Sequence, residues 1–284
     1  MDTRMTNILT DSCCDLNPEL LSQFGIEIIS LSVFIDNTTY LDRTEIDFKR
    51  LFELVEKTGS LPKTSAPTLA SLQQFLDREG ETLFIGISSK LSATINNALL
   101  AAQTLSNRKI TVLDSLNLSA GIGLLAIKAA ELRDQGLSMP LILEELNQAI
   151  PNVHTSFVID TLDYLYKGGR CSALTMVVGS LLKIRPVIEV NQDGTLGVKE
   201  KITGTRRKAL NSLLLDFQKH LNEVDTKHIF ITHTGCEADA QYLAGELSKL
   251  IPIQNLHTTH AGATIASHCG PNTIGILYLT HQKT

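Results

Sequence analysis

The sequence predicts an α/β protein of two domains. An N-terminal parallel-sheet α/β/α domain is expected over residues 1–151, and a C-terminal mixed-sheet α/β domain over residues 152–284. Three observations predict this. In the first half, short apolar runs alternate with amphipathic helical runs, the pattern of a parallel sheet covered on both faces. In the second half, two strand-like runs flank Asn191-Gln192-Asp193-Gly194, and Asp-Gly is a hairpin signal. The 284 residues are 43% hydrophobic and 19% charged, so such a chain can bury roughly three quarters of its unfolded surface.

The elements follow in order. Asn7 to Thr10 reads as a first strand. Asn17, Pro18 and Glu19 make a helix start: a cap, a proline in the first turn and an acid at the positive helix end. Gly25 stops that helix, and Ile26 to Phe34 reads as one strand. Asp47 to Lys57 repeats apolar residues at helical spacing, with Gly59 behind it. Leu69 to Arg78 is a helix capped by Thr68 and stopped by Gly80. Strand Thr82 to Ile87, helix Ser92 to Leu105 and strand Lys109 to Leu113 come next, then a long helix from Ala120 to Gln135.

Beyond Pro151, strands Pro186 to Val190 and Gly197 to Ile202 form the hairpin. A basic helix starts near Thr205. Strand His228 to Thr232, helix Glu237 to Leu250 and strand Ile274 to Leu279 complete the chain, with the last strand left free to return to the first domain. No low-complexity linker and no repeat separates the halves, so the domains should pack together around a cleft.

Composition excludes several functions. With 25 Lys+Arg against 30 Asp+Glu the net charge is −5, which argues against a nucleic-acid binder held by a broad basic face. The best apolar run, Leu174 to Leu182, is broken by Gly179 and Ser180 and is too short to span a membrane. Five cysteines (Cys13, Cys14, Cys171, Cys236, Cys269) form no CxxC pair. That argues against a zinc site, and without a secretion signal it points to reduced thiols in a cytoplasm.

Small polar residues gather where strands should end: Asp11 and Ser12, Ser88, Ser89 and Ser92, Asp114 and Ser115, with Thr64 and Ser65 in a loop before a helix. In open α/β sheets ligands collect at such ends, and hydroxyls with helix amides can hold a carboxylate or phosphate without lysines. Each of these residues also suits helix capping. Lys167-Gly168-Gly169-Arg170 pairs two glycines, which allow close backbone approach, with a planar cation suited to anions. Thr205-Arg206-Arg207-Lys208 puts cations at a helix N-terminus, where an anionic partner would offset their conflict with the macrodipole. His233, and His268 before Gly270-Pro271, are weaker candidates.

Together these segments resemble the DegV family. The landmarks are ILTDSCCDL (8–16), KTSAPT (63–68), ISSKLSATINNA (87–98), VLDS (112–115), YLYKGGRCS (164–172), LLKIRPVIEVNQDG (181–194), TRRKAL (205–210) and HCGP (268–271), all in collinear order. The resemblance implies a non-catalytic protein that binds a long-chain fatty acid in an apolar tunnel. It would present the carboxylate to a separate ATP-dependent fatty acid kinase. It implies Thr64, Ser65, Ser92 and His268 as the carboxylate-holding residues, and Arg170 and Arg206 as contacts for the kinase or phosphate. It implies no cofactor beyond the bound fatty acid, no metal and no nucleic acid, and it allows a transient membrane contact. Ala93 and Ile95 depart from the family's LSGTY, Cys13 and Ala66 from its TDSS and TSQP. Cys171 and Asn272 also replace usual residues, and these changes bear on chain preference and head-group geometry.

Two other readings use the same residues. A serine hydrolase acting on acyl esters would join Ser92 or Ser89 to His268 and to Asp11 or Asp114, although no GxSxG elbow is present. A sugar or triose kinase subunit would need a substrate-capturing histidine that nothing in the sequence positions. The lack of a GxxxxGK[ST] loop fits a non-catalytic partner.

Overall fold

The computed structural model describes residues 6–170 and 184–281; Cys171 and the apolar run to Leu182 lie outside the described residues. Two large sheets share a central helix. The first sheet contains β1 (Thr6–Asp11), β2 (Ile26–Ile29), β6 (Glu81–Gly86) and β7 (Lys109–Asp114), ordered β2-β1-β6-β7 and parallel throughout. The second contains β8 (Val153–Val158), β9 (Ile184–Val190), β10 (Leu196–Thr203), β11 (Val224–His233), β12 (Leu256–His260) and β13 (Ile274–Thr280). Its order is β10-β9-β8-β13-β11-β12, with only β11 and β12 parallel. The last strand, β13, sits between β8 and β11 and does not return to the first sheet.

The helix starts follow the side-chain chemistry. Asn17 caps α1 (Pro18–Phe24), Asp47 caps α2 (Phe48–Thr58), Thr68 caps α3 (Leu69–Leu76) and Thr205 caps α8 (Arg206–Gln218). Each cap accepts a first-turn N–H, worth about 1 kcal/mol. Gly25 ends α1 in the left-handed conformation, at φ +57°. Gly80 does not stop α3; Asp77 ends it earlier. In the hairpin, Gly194 takes φ +83°, as the Asp-Gly pair requires.

The run from Ile26 to Phe34 is not one strand. It breaks at Ser30 and Leu31, and β3 (Ser32–Ile35) leaves to form a small antiparallel sheet with β4 (Thr38–Leu41) and β5 (Lys63–Ser65). Side chains take over from the ladder at the break: Ser30 Oγ donates to the Asp42 carbonyl, and Ser12 Oγ accepts the Leu31 N–H. This detour carries Thr64 and Ser65 to the site.

The layers stack around α5 (Ala120–Asp134). On the outer face of the parallel sheet, Leu72 and Leu76 of α3 and Ala98 and Ala101 of α4 (Thr94–Thr104) cover Leu9 and Phe84. On its inner face, Ile8, Leu83 and Ile85 join one core with Leu125 and Ile127 of α5, Leu146 of α6 (Met139–Ala149), and Phe157, Phe230 and Leu277 of the second sheet. Leu213 and Phe217 of α8, with Leu243 and Leu247 of α9 (Glu237–Leu250), close the far side over Ile229, Ile231 and Ile276. Burying each such aliphatic side chain contributes about 1.5–3 kcal/mol before entropy. A fourth cluster joins Val33 and Ile35 of β3, Leu51 of α2, and Ala263 and Ala266 of α10 (Ala263–Cys269). No helix among the described residues is long and apolar enough to cross a membrane.

Candidate functional site

A cavity of about 270 Å³ opens where the parallel sheet, the small sheet and α10 converge. Five of the six site residues that the family resemblance implies line it: Thr64 and Ser65 from β5, Ser92 from the turn before α4, His268 from α10, and Arg170 just after α7 (Asp163–Gly168). Most of the remaining wall is aliphatic, including Leu31, Ile87, Leu118, Leu165 and Leu196. Leu196 arrives from the far hairpin, which docks on the first sheet when Ser88 Oγ donates to the Gly194 carbonyl at 2.8 Å.

His268 anchors the polar part. Its Nε2 lies 2.7 Å from Thr64 Oγ1, and its buried Nδ1 has no partner among the described residues. Burial, and then the Arg170 charge, push its pKa down to about 4. The imidazole is therefore neutral near pH 7, with one nitrogen to donate and one to accept. Leaving a buried polar atom unpaired costs about 1–3 kcal/mol, so the ring is prepared for a hydrogen-bonding guest.

The two glycines of Lys167-Gly168-Gly169-Arg170 serve different ends. A Cβ on Gly168 would sit 2.4 Å from His268 Nδ1, so only glycine lets α7 close on the ring. Gly169 ends α7 at φ +68° with open space around it. Arg170 is exposed at the cavity mouth, where Nη1 donates to the Gly168 carbonyl at 2.5 Å and Nε to the Leu91 carbonyl at 3.4 Å. Ser92 Oγ stands 2.9 Å from Thr94 Oγ1 and accepts the Thr94 N–H.

Behind the cavity lies a buried carboxylate cluster that sequence reasoning noticed only at Asp11. Asp15 accepts the Gly262 N–H and Asp42 the Ala263 N–H, at 2.8 and 2.7 Å, so both hold the start of α10. Ser119 donates to Asp15, Ser12 donates to Asp42, and Arg43 lies 3.5 Å from Asp15. Burial raises Asp15 to about 7 and Asp11 to about 6, and it raises Asp42 too. Asp11 accepts from the N–H groups of Cys13 and Ile87. Most of the other strand-end groups are scaffold as well: Ser115 Oγ donates to the Asn117 carbonyl, and Asp114 accepts from Ser89 and Leu116.

The triad of the hydrolase reading is not assembled. The ring of His268 bonds Thr64, not Ser92 or Ser89; Asp11 is held by the N–H groups of Cys13 and Ile87 and by the Cys13 side chain, and Asp114 accepts from backbone N–H groups. Arg206 stands apart from the cavity. Its Nε meets Asp239, its Nη1 meets Asp160 at 2.8 Å, and its Nη2 donates to the Asn272 carbonyl at 2.7 Å. Those contacts tie the first turn of α8 to α9 and to the turn before β13, and they offset the cation's conflict with the helix dipole. Elsewhere, ligating atoms of His233, Glu237 and His260 lie within 4.8 Å of one another. His233 Nδ1 accepts the Cys236 N–H, so the neutral ring keeps its proton on the other nitrogen and offers it no lone pair for a metal.

Comparison with known proteins gives a consistent result. The family model described as "Uncharacterised protein, DegV family" matches residues 5–281. A DegV domain-containing protein of Clostridium acetobutylicum is 31% identical, over 96% of this chain and 97% of that protein. A solved structure described as the fatty acid binding of a DegV family protein from Thermus thermophilus superposes with a TM-score of 0.91 at 28% identity, covering 97% of this chain and 99% of that one. DegV of Bacillus subtilis, described as a fatty acid binding protein, superposes at 0.88 with 29% identity, over 97% of this chain and 99% of its own.

Proposed function

The chain belongs to the DegV family, and on that premise we propose that it binds a long-chain fatty acid and presents the carboxylate to the catalytic subunit of an ATP-dependent fatty acid kinase. One observation carries the reading: an aliphatic cavity whose polar lining, among the described residues, is confined to Thr64, Ser65, Ser92, Thr264, His268 and Arg170. Hydroxyls and a neutral imidazole can hold a carboxylate without the desolvation cost of a buried ion pair. The aliphatic wall favours the tail by about 0.8 kcal/mol per buried methylene, so affinity needs few polar contacts.

The exposed position of Arg170 at the mouth supports a role toward the phosphate or the kinase, because a guanidinium there meets a phosphorylating partner before the interior is reached. Arg206 is already engaged by two carboxylates and a carbonyl, so in this reading it braces the second sheet's helices.

The test is direct. Delipidated protein is offered a fatty acid and examined by native mass spectrometry, then mixed with the kinase subunit and ATP. A mass increase equal to one fatty acid, and acyl phosphate formed only when both proteins are present, is the expected result. No uptake overturns the binding role. Uptake without any dependence of the kinase on this chain overturns the partnership alone.

A further inference from the structure

A second, smaller void lies behind the first. It measures about 20 Å³ and rests against the second sheet, where Phe157, Gly275 and Leu277 face it. Three residues line both spaces: Leu118, Ile265 and Cys269. Ile265 and Cys269 stand one turn apart on the same face of α10, the helix that also carries His268. The wall between the two spaces is therefore one side chain thick and is built on the element that holds the polar anchor.

The inner void contains several polar residue types, yet its hydroxyls are committed elsewhere. Ser119 donates to Asp15, Thr155 to Asn117 Oδ1, Thr234 to the Gly270 carbonyl and Thr273 to the Cys269 carbonyl, while Thr232 pairs with Thr259. A void of this size holds about one water, and a stable buried water needs two to four polar partners. With those hydroxyls engaged, His233 is the remaining polar residue among those lining the void, and the rest of the wall offers a guest apolar contact. Interiors are otherwise close-packed, so a void beside a one-residue partition marks a place that further apolar atoms can fill.

We propose that Leu118, Ile265 and Cys269 form a partition that sets the acyl length at which affinity stops rising, because the methyl end of a longer chain must push Leu118 and Ile265 aside to enter the inner void. This rests on the fatty-acid reading above and adds to it the residues that select chain length. Below the partition each added methylene raises affinity about fourfold (~0.8 kcal/mol). At the partition the gain stops, because the next methylene must displace packed side chains. α10 is fixed at its start by Asp15 and Asp42, so its polar anchor and its tail stop keep a constant separation.

The experiment uses the full delipidated chain and a ladder of saturated fatty acids differing by two methylenes, with a dissociation constant for each. The wild type should show affinity rising along the ladder and then levelling. Ile265→Ala joins the two spaces and moves the levelling point to longer acids, with about fourfold gain for each extra methylene buried. Ala261→Leu fills the inner void from a residue that lines it alone, and it weakens only the longest acids. Ile265→Val removes a single methylene and decides the matter if the other two fail to fold, by a smaller shift in the same direction as Ile265→Ala. Folded variants whose ladder matches the wild type overturn the partition. A wild type that binds no acid of any length overturns the fatty-acid reading instead.

Discussion

Replacing Gly168 by alanine separates two roles that adjacent glycines play. The new Cβ would meet His268 Nδ1 at 2.4 Å and Cε1 at 3.3 Å, so the ring must retreat by about 1 Å to reach ordinary contact. The His268 Nε2 to Thr64 Oγ1 distance is 2.7 Å, and a retreat of that size takes it beyond hydrogen-bonding range. A buried polar group stripped of its partner costs about 1–3 kcal/mol. If the pair holds a carboxylate, fatty-acid affinity should fall about 5- to 150-fold at that cost. Gly169→Ala is the control. It has open space around it and adopts φ +68°, so alanine there strains the backbone by roughly 1 kcal/mol without touching the ring. Titration of a fluorescent fatty acid, with a thermal melt of each variant, reads both effects. Gly168→Ala should lose affinity, and Gly169→Ala should lose stability and keep affinity. Equal affinities for Gly168→Ala and the wild type would refute the reasoning, because the ring would then have no part in holding the head group.

Further outcomes follow from other contacts. Thr64→Val keeps the shape of the side chain and removes the hydroxyl beside His268; it should weaken fatty-acid binding about 5- to 100-fold in the same titration, by the cost of one unmet buried hydrogen bond. Asp15 is protonated more readily in the folded chain, at about 7 against an ordinary 3.8, so its contribution to stability is present at low pH and is lost as pH rises toward and through 7. Asp15→Asn removes that dependence, and the melting temperature of the variant relative to the wild type should improve from pH 5 to pH 8; a constant difference would contradict it. His268, His154 and His257 act the opposite way, because their folded pKa values are pushed down to about 4. Their share of stability is present above about 6.5 and is lost as pH falls through 4, so acid melts of His154→Phe should show a shallower decline than the wild type. Leu125→Ala, at the fully buried centre of α5, should cost about 2–5 kcal/mol in urea unfolding, since the helix fills the space between both sheets.

Much of the fold was legible because local chemistry and tertiary packing agree. The caps Asn17 and Thr68 and the Asp193-Gly194 turn act within a few residues, and the structure uses each as read. Asp47 and Thr205, read from the sequence only as helix starts, also cap their helices. The failures have a different cause. The run from Ile26 to Phe34 looks continuous because its apolar content is uniform, but long-range bonds from Ser12 and Asp42 divide it between two sheets. Strands β8 and β12 carry His154, Thr155 and Ser156, and His257 to His260, so polar side chains hide their periodicity. At the site, Thr64, Ser65, Ser92, Arg170 and His268 converge as a set that residue types and family resemblance had joined. Leu196 and the carboxylates Asp15 and Asp42 escaped notice, since only the folded chain brings residue 196 to the first sheet and residue 42 to α10.

The central claim concerns what occupies the cavity and which way it points. A crystal structure of the protein with a bound long-chain fatty acid tests it most directly. The account predicts elongated density in the cavity between the two sheets, with its carboxylate within hydrogen-bonding distance of Thr64, Ser92 and His268 and its tail directed at Leu118 and Ile265. Density with the carboxylate elsewhere, or a cavity that stays closed to every acid offered, would contradict it.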